Sequence, residues 1–177
     1  DLWIANTDAR NLVRFEPALR GHVVDNQITI LQSTKADPQI VDLNPGLDYS
    51  LFPNPIALKQ AIAQPTDILF DRAGSRAFVT SFGTDRVGVL DAAGNFLARI
   101  EIGDSEGGEL NTRNKRGPRA LALHSSESVL YVLNRLTNSI SIVDVEKSNS
   151  LSELWMTDPT PDYIREGRGY LYDAKLS

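Results

Sequence analysis

The sequence predicts an all-β protein: a partial ring of about three four-stranded antiparallel sheets, with short helices in one inserted loop and at the C-terminus. Three observations predict it. A block of residues recurs at a fixed offset, each copy breaks into short alternating or β-branched runs, and turn-forming residues separate the runs.

The repeat is clearest in the second half of the chain. Pro65-Thr66-Asp67-Ile68-Leu69-Phe70-Asp71 aligns with Pro118-Arg119-Ala120-Leu121-Ala122-Leu123-His124. Ala77-Phe78-Val79-Thr80-Ser81 aligns with Leu130-Tyr131-Val132-Leu133-Asn134, and Arg86-Val87-Gly88-Val89-Leu90-Asp91 with Ser139-Ile140-Ser141-Ile142-Val143-Asp144. The offset is 53 residues at Pro65 and Pro118 and again at Asp91 and Asp144, so three strands align without a gap. A partial copy opens the chain at an offset of 75: Leu2–Asn6 stands for a second strand and Asn11–Glu16 for a third, with no first strand.

The predicted strands of the middle copy are 66–71, 76–81, 86–91 and 96–102; those of the last are 119–124, 129–134, 139–144 and 150–156. Asp71–Ser75 and Asp91–Asn95 contain the Asp and Gly that tight turns use. Asn54-Pro55 predicts the start of a short helix running to Ala63, and Tyr163 to Ala174 predicts another. Repeated four-stranded units of this size are β-propeller blades, whose two apolar faces are covered by stacking on neighbours. The predicted blades are about 1–43, 65–103 and 118–157, with insertions at 44–64 and 104–117. The excess over a compact blade is expected between fourth and first strands, at 103–117 and more so at 32–64. Residues 158–177, opened by Thr157-Asp158-Pro159-Thr160-Pro161, are expected to be a linker and the start of a following domain.

The pattern Pro-x-x-(apolar), Tyr-Val-x-Asn, Ile-Ser-Ile-Val-Asp, best seen from Gly117 to Asp144, resembles the YVTN family of β-propellers. That resemblance implies a periplasmic or extracellular location. The stretch from Ile164 to Ser177 is similar to the lead-in to the first haem motif of dihaem cytochrome c peroxidase relatives. It implies that the parent protein continues into a c-type haem domain. No haem ligand falls within these 177 residues, so no cofactor is expected in this chain itself.

Composition excludes several functions. A net charge of −5 with no basic stripe argues against a nucleic-acid surface. The absence of cysteine excludes disulfides, thiol nucleophiles and covalent haem attachment here. No apolar run reaches the roughly 18 residues of a membrane span. Candidate chemistry is sparse. His124 occupies the turn position of Asp71, and His22 follows Gly21 at a strand start, so both are read as structural. Asp104, Glu106 and Glu109 are weak metal candidates in a Gly-rich loop. Trp3, Phe78 and Tyr131 share one repeat position, which points to packing between blades. Asp91 and Asp144 close the third strand and are expected to cap turns.

Antiparallel meanders send alternate connections to opposite ends. Loops 6–11, 82–86 and 135–138 should therefore share one face with the long connections 32–64 and 103–117. Loops on a rigid scaffold carry function, so that face is the expected binding surface, with Asp85, Arg86, Asn134, Arg135 and Asn138 as candidates. The expected function is a non-catalytic scaffold or recognition segment of an exported protein. The alternative is an enzyme or ligand site on the same face, such as a lactonase or a quinone-free oxidoreductase. Three blades cannot close a ring of typically about 4–8, so self-association or pairing with further blades is expected.

Overall fold

A computed structural model describes residues 1–11, 22–51, 53–103, 110 and 112–176, with Leu176 described by its backbone only. Three antiparallel sheets follow one another along the chain. The first has the order β1 (Leu2–Ala9), β2 (Val24–Leu31), β3 (Gln39–Asp42). The second comprises β4 (Pro65–Phe70), β5 (Arg76–Ser81), β6 (Arg86–Asp91) and β7 (Phe96–Glu101). The third comprises β8 (Pro118–Leu123), β9 (Val129–Asn134), β10 (Ser139–Asp144) and β11 (Asn149–Trp155). Each is a simple meander, the connectivity of a propeller blade. Two short α-helices, α1 (Pro55–Gln60) and α2 (Asp162–Tyr172), and two 3-10 turns, Thr112–Asn114 and Ala174–Leu176, complete the described elements.

The repeat extends to the hydrogen-bond ladders. Arg76↔Asp91 and Ser81↔Arg86 in the second sheet become Val129↔Asp144 and Asn134↔Ser139 in the third. The irregularity between Val89 and Leu90 recurs between Ile142 and Val143. The Asp91 carboxylate accepts the N–H groups of Ala93 and Asn95, and Asp144 those of Glu146 and Lys147. Both therefore cap turns, as their position predicts.

The first sheet departs from its predicted strands. β1 pairs with β2 from Leu2↔Leu31 to Ala9↔Val24, so its partner among the described residues is 24–31, a strand the repeat did not predict. All of the expected strand Asn11–Glu16 but Asn11 lies outside the described residues. The apolar alternation of Val24–Leu31 is as good a strand signal, but the 75-residue offset favoured the nearer segment. The span 32–64 is likewise divided. Gln39–Asp42 forms the fourth strand β3, so 32–38 is a hairpin within the sheet, and only 43–64 connects one sheet to the next.

The middle sheet is buried on both faces, which is why its strands read as nearly continuous apolar runs. On one side Ala77, Val79 and Leu90 pack against Ile28 and Ile30 of β2, with Leu43 and Ile62 from the connection. On the other, Phe78, Val87, Val89 and Ile100 pack against Leu130, Val132 and Val143. Trp3 and Phe78 each face the sheet that follows, as expected for blade packing. The outer sheet faces are apolar too. Leu2, Ile4, Leu31 and Ile40 are exposed on the first, and Leu154 is exposed on the third beside half-buried Tyr131, Leu133, Ile140 and Ile142.

The long connections gather at one end, as the meander requires. Gly83 N–H donates to Ala63 O, Arg135 N–H to Gly117 O, and Ile102 N–H to Asp85 O, each at 2.9 Å. Gln64 and Gly117, equivalent in the repeat, both take positive φ, 54° and 61°, just before the repeat proline. A Cβ on Gly117 would lie 2.7 Å from Leu136 Cγ and 2.9 Å from Phe82 Cε2. Gly117→Ala is therefore expected to lower stability by about 1–3 kcal/mol. Gln64→Gly is expected to change it by less than about 1 kcal/mol. Urea midpoints of the two variants check both values.

Candidate functional site

The loop face is organised by two adjacent residues of opposite charge. Asp85 sits in the tight turn between β5 and β6 at φ 55°, where an Asp tolerates the left-handed region better than most residues. Its carboxylate accepts the N–H of Gly117 at 2.8 Å and of Arg116 at 3.1 Å. Burial pushes this carboxyl up against the pull of Lys115 and those two N–H groups. Arg86 is 0% exposed. Its Nη1 and Nη2 donate to Ala61 O at 2.9 Å and Leu58 O at 2.7 Å, and its Nε donates to Glu101. A cation at the open C-terminal end of α1 meets both the orphan carbonyls and the negative end of the helix dipole. Burial raises the Glu101 carboxyl despite Arg86, and its Oε2 has no hydrogen-bond partner among the described residues.

The C-terminal segment lies across this face. In α2 a Cβ at Gly169 would run into the Thr112 carbonyl oxygen, so only glycine permits the approach. Asp173 accepts from Thr112 Oγ1 at 2.7 Å and from Lys115 Nζ at 3.1 Å, and Lys115 also lies 3.6 Å from Asp85. Ala174 N–H donates to Gly83 O at 2.9 Å, and the Tyr172 ring meets Phe82 edge-on. Burial works against the charged Asp173, yet Thr112, Lys115 and the Lys175 N–H outweigh it and hold the carboxyl low. A second cluster sits nearby. Arg116 grips Glu153 through Nε at 3.2 Å and Nη2 at 2.9 Å, and Glu153 also accepts from Ser139.

Between the start of β2, the 43–64 connection and the C-terminal segment lies a cavity of about 570 Å³. Leu47, Leu51, Leu58, Leu110 and Leu171 make much of its wall. Asn44 ties the connection down by donating to Ile62 O at 2.9 Å and accepting Ile62 N–H at 2.8 Å. His22 and Tyr49 line the cavity as a parallel stack, ring centroids 3.4 Å apart at 8°. Burial, then the charges of Asp42 and Asp25, push the Tyr49 hydroxyl up.

This architecture has a known counterpart. The family described as "Lactonase, 7-bladed beta-propeller" matches residues 49–170. The chain belongs to that lactonase family of β-propellers. Its fold is shared by hydrazine synthase of Kuenenia stuttgartiensis, at 17% identity and TM-score 0.55, over 81% of this chain and 41% of that one. A periplasmic gluconolactonase of Pseudomonas aeruginosa aligns at 15% identity and TM-score 0.48, over 81% and 36%. A putative 6-phosphogluconolactonase of Bacteroides uniformis aligns at 16% and 0.48, over 76% and 40%. The chain thus spans about two fifths of the length of these structures. No curated protein matches the sequence significantly.

Within this lactonase-family frame the five candidates separate. Asp85 and Arg86 meet at the centre of the loop face, each bound to a different long connection. Asn134 is buried in the second cluster, donating to Ser139 Oγ at 3.1 Å and Ser141 Oγ at 2.8 Å. Asn138, half-buried at φ 51°, donates to Thr157 O at 2.8 Å. Arg135 is exposed. Asp104, Glu106 and Glu109 lie outside the described residues. His124 holds its own turn through Ser126, as its repeat position predicts. Lys115, Asp173, Lys175 and the His22–Tyr49 stack escaped the sequence reading, because none has a repeat-related counterpart. Lys115 and Arg116 stand in a short basic run, Arg113–Arg119, a pattern usual for a solvated loop, yet both are buried.

The lowered Asp173 carboxyl contributes stability that is present above its ordinary value of 3.8 and lost as pH falls through the lower folded value. Asp85 and Glu101, both raised, act with the opposite sign and gain from protonation. Amide exchange across 162–176 is therefore expected to quicken below about pH 3.8, and Asp173→Asn to abolish that dependence while speeding exchange at neutral pH. Hydrogen-exchange mass spectrometry reads both.

Proposed function

We propose that this chain is the ligand-recognition segment of an exported lactonase-family propeller, and that its site is the cavity beside α1. The observation that carries the reading is a division of labour on the loop face. Asp85, Arg86, Asn134 and Asn138 from the blades are engaged in holding the frame, whereas most of the cavity wall comes from the 43–64 connection and the C-terminal segment, which lie outside the repeat. Recognition elements grafted on a fixed scaffold follow that pattern. The leucine-rich wall suits a ligand with an apolar body, and the polar end at His22 and Tyr49 suits a carbonyl or hydroxyl. The family's lactonase description supports a small cyclic ester or an analogue of one.

The apolar outer faces of the first and third sheets support a place for this segment among further blades, or self-association when it is alone. The YVTN-like repeats support export to the periplasm or cell exterior. The peroxidase-like lead-in supports a haem c domain elsewhere in the parent protein. The parent gene is then expected to encode Cys-x-x-Cys-His shortly after Ser177; a gene carrying further blades there instead would refute the haem connection.

Calorimetry with δ-decalactam, a ring amide with an alkyl tail, tests the cavity directly. Saturable binding is expected. Ala57→Trp, which fills the cavity from α1, is expected to weaken it at least about tenfold, or 1.4 kcal/mol, with little change in thermal midpoint. Equal binding by both proteins would place the ligand elsewhere.

A further inference from the structure

The polar end of the cavity holds a pair that simple recognition does not use. His22 Nε2 lies 2.7 Å from Asp25 Oδ1, and Arg10 Nη1 lies 3.1 Å from Asp25 Oδ2. The first sheet builds this arrangement. Arg10 N–H donates to Val23 O, which extends the β1–β2 ladder by one rung and puts Arg10, His22 and Asp25 at the same sheet end. Tyr49 covers one face of the imidazole and leaves its side chain 12% exposed. The Asp25 carboxylate, held by Arg10, accepts from the proton-bearing nitrogen, so Nε2 is the N–H and Nδ1 the basic nitrogen. Nδ1 has no hydrogen-bond partner among the described residues. The other histidine, His124, engages its Nδ1 with Ser126.

We propose that His22, oriented by Asp25, is a general base that directs water onto carboxylic esters with an apolar chain bound in this cavity. The inference rests on the cavity being the ligand site. A water held at Nδ1 gives its proton to the imidazole as its oxygen bonds to the acyl carbon. The tetrahedral adduct then collapses: the acyl carbon–alkoxide bond breaks, and the imidazolium returns the proton to the departing alkoxide oxygen. The products are an acid and an alcohol, joined in one molecule if the ester is a ring, and water is the only co-reactant. The leucine wall selects the apolar chain and keeps bulk water from the reacting carbonyl. The base that takes the proton is the unprotonated Nδ1 of the imidazole. The ionisable groups set around it are Asp25, its cross-strand neighbour Asp8, and Arg10 on the first sheet; Tyr49 on the connection; and Asp173 and Lys175 in the cavity wall contributed by the C-terminal segment.

The test uses the full chain with 4-nitrophenyl hexanoate as a linear ester and δ-decalactone as a ring ester. Hydrolysis above the buffer rate is expected for at least one. His22→Gln, whose amide can still meet a carbonyl or hydroxyl, is expected to lower it by about 100-fold or more while changing δ-decalactam affinity by a far smaller factor. His124→Gln is expected to leave it unchanged, and Asp25→Asn to lower it and to remove the bias of His22 toward the Nε2–H tautomer. Nitrogen-15 spectra of histidine-labelled protein hold only two imidazoles, and His22 is expected as the Nε2–H tautomer. Lactam binding without ester turnover, equal loss in the two histidine variants, or an Nδ1–H tautomer would each overturn the assignment. Of these, lactam binding without turnover leaves the recognition reading standing, whereas absence of lactam binding removes both.

Discussion

Two neighbouring charges, Asp85 and Arg86, hold the loop face together, and the rest of that face depends on them. They leave one tight turn in opposite directions. Asp85 receives the backbone of the connection between the second and third sheets, and Arg86 caps the helix in the connection between the first and second. Neither charge is cheap to bury. Losing one partner of such a pair costs about 3–5 kcal/mol, because the other is left without compensation. The network limits that cost by balance: Arg86, Lys115, Arg116 and Lys175 are set among Asp85, Glu101, Glu153 and Asp173. Only a rigid array of blades could present these groups at fixed distances.

The blades were legible because their physics is local and repeated. Alternation, turn aspartates and a constant offset located all eight strands of the second and third sheets to within a residue. The first sheet was less legible because the repeat offset drew the reading to Asn11–Glu16, and the strand at Val24–Leu31 has no counterpart at that offset. Fourth strands are the weakest signal, and Gln39–Asp42 has only four residues to show.

The site was legible as a place but not as a set of contacts. Topology alone put the long connections on one face. It could not tell that Arg86 would point under α1 instead of into solvent, since that depends on Pro55–Gln60 ending over it. Nor does sequence spacing relate His22 to Tyr49, or Lys115 to Asp173, whose partners lie 27 and 58 residues away. Such pairs are set by the packing of non-repeating segments, where no period exists to read. The same holds for Gly169, whose close approach to Thr112 is visible only once α2 is docked.

The bond from Ala174 to Gly83 joins parts of the chain made far apart in time. Residues 22–64, which form most of the cavity wall, leave the ribosome well before Leu171–Lys175 are added. Blades can stack as they emerge, since each needs mainly its predecessor. The cavity cannot be finished in that way. It stays open until Leu171–Lys175 have been made and gains that wall only when Ala174 settles against Gly83, so the chamber closes later than the blades it rests on.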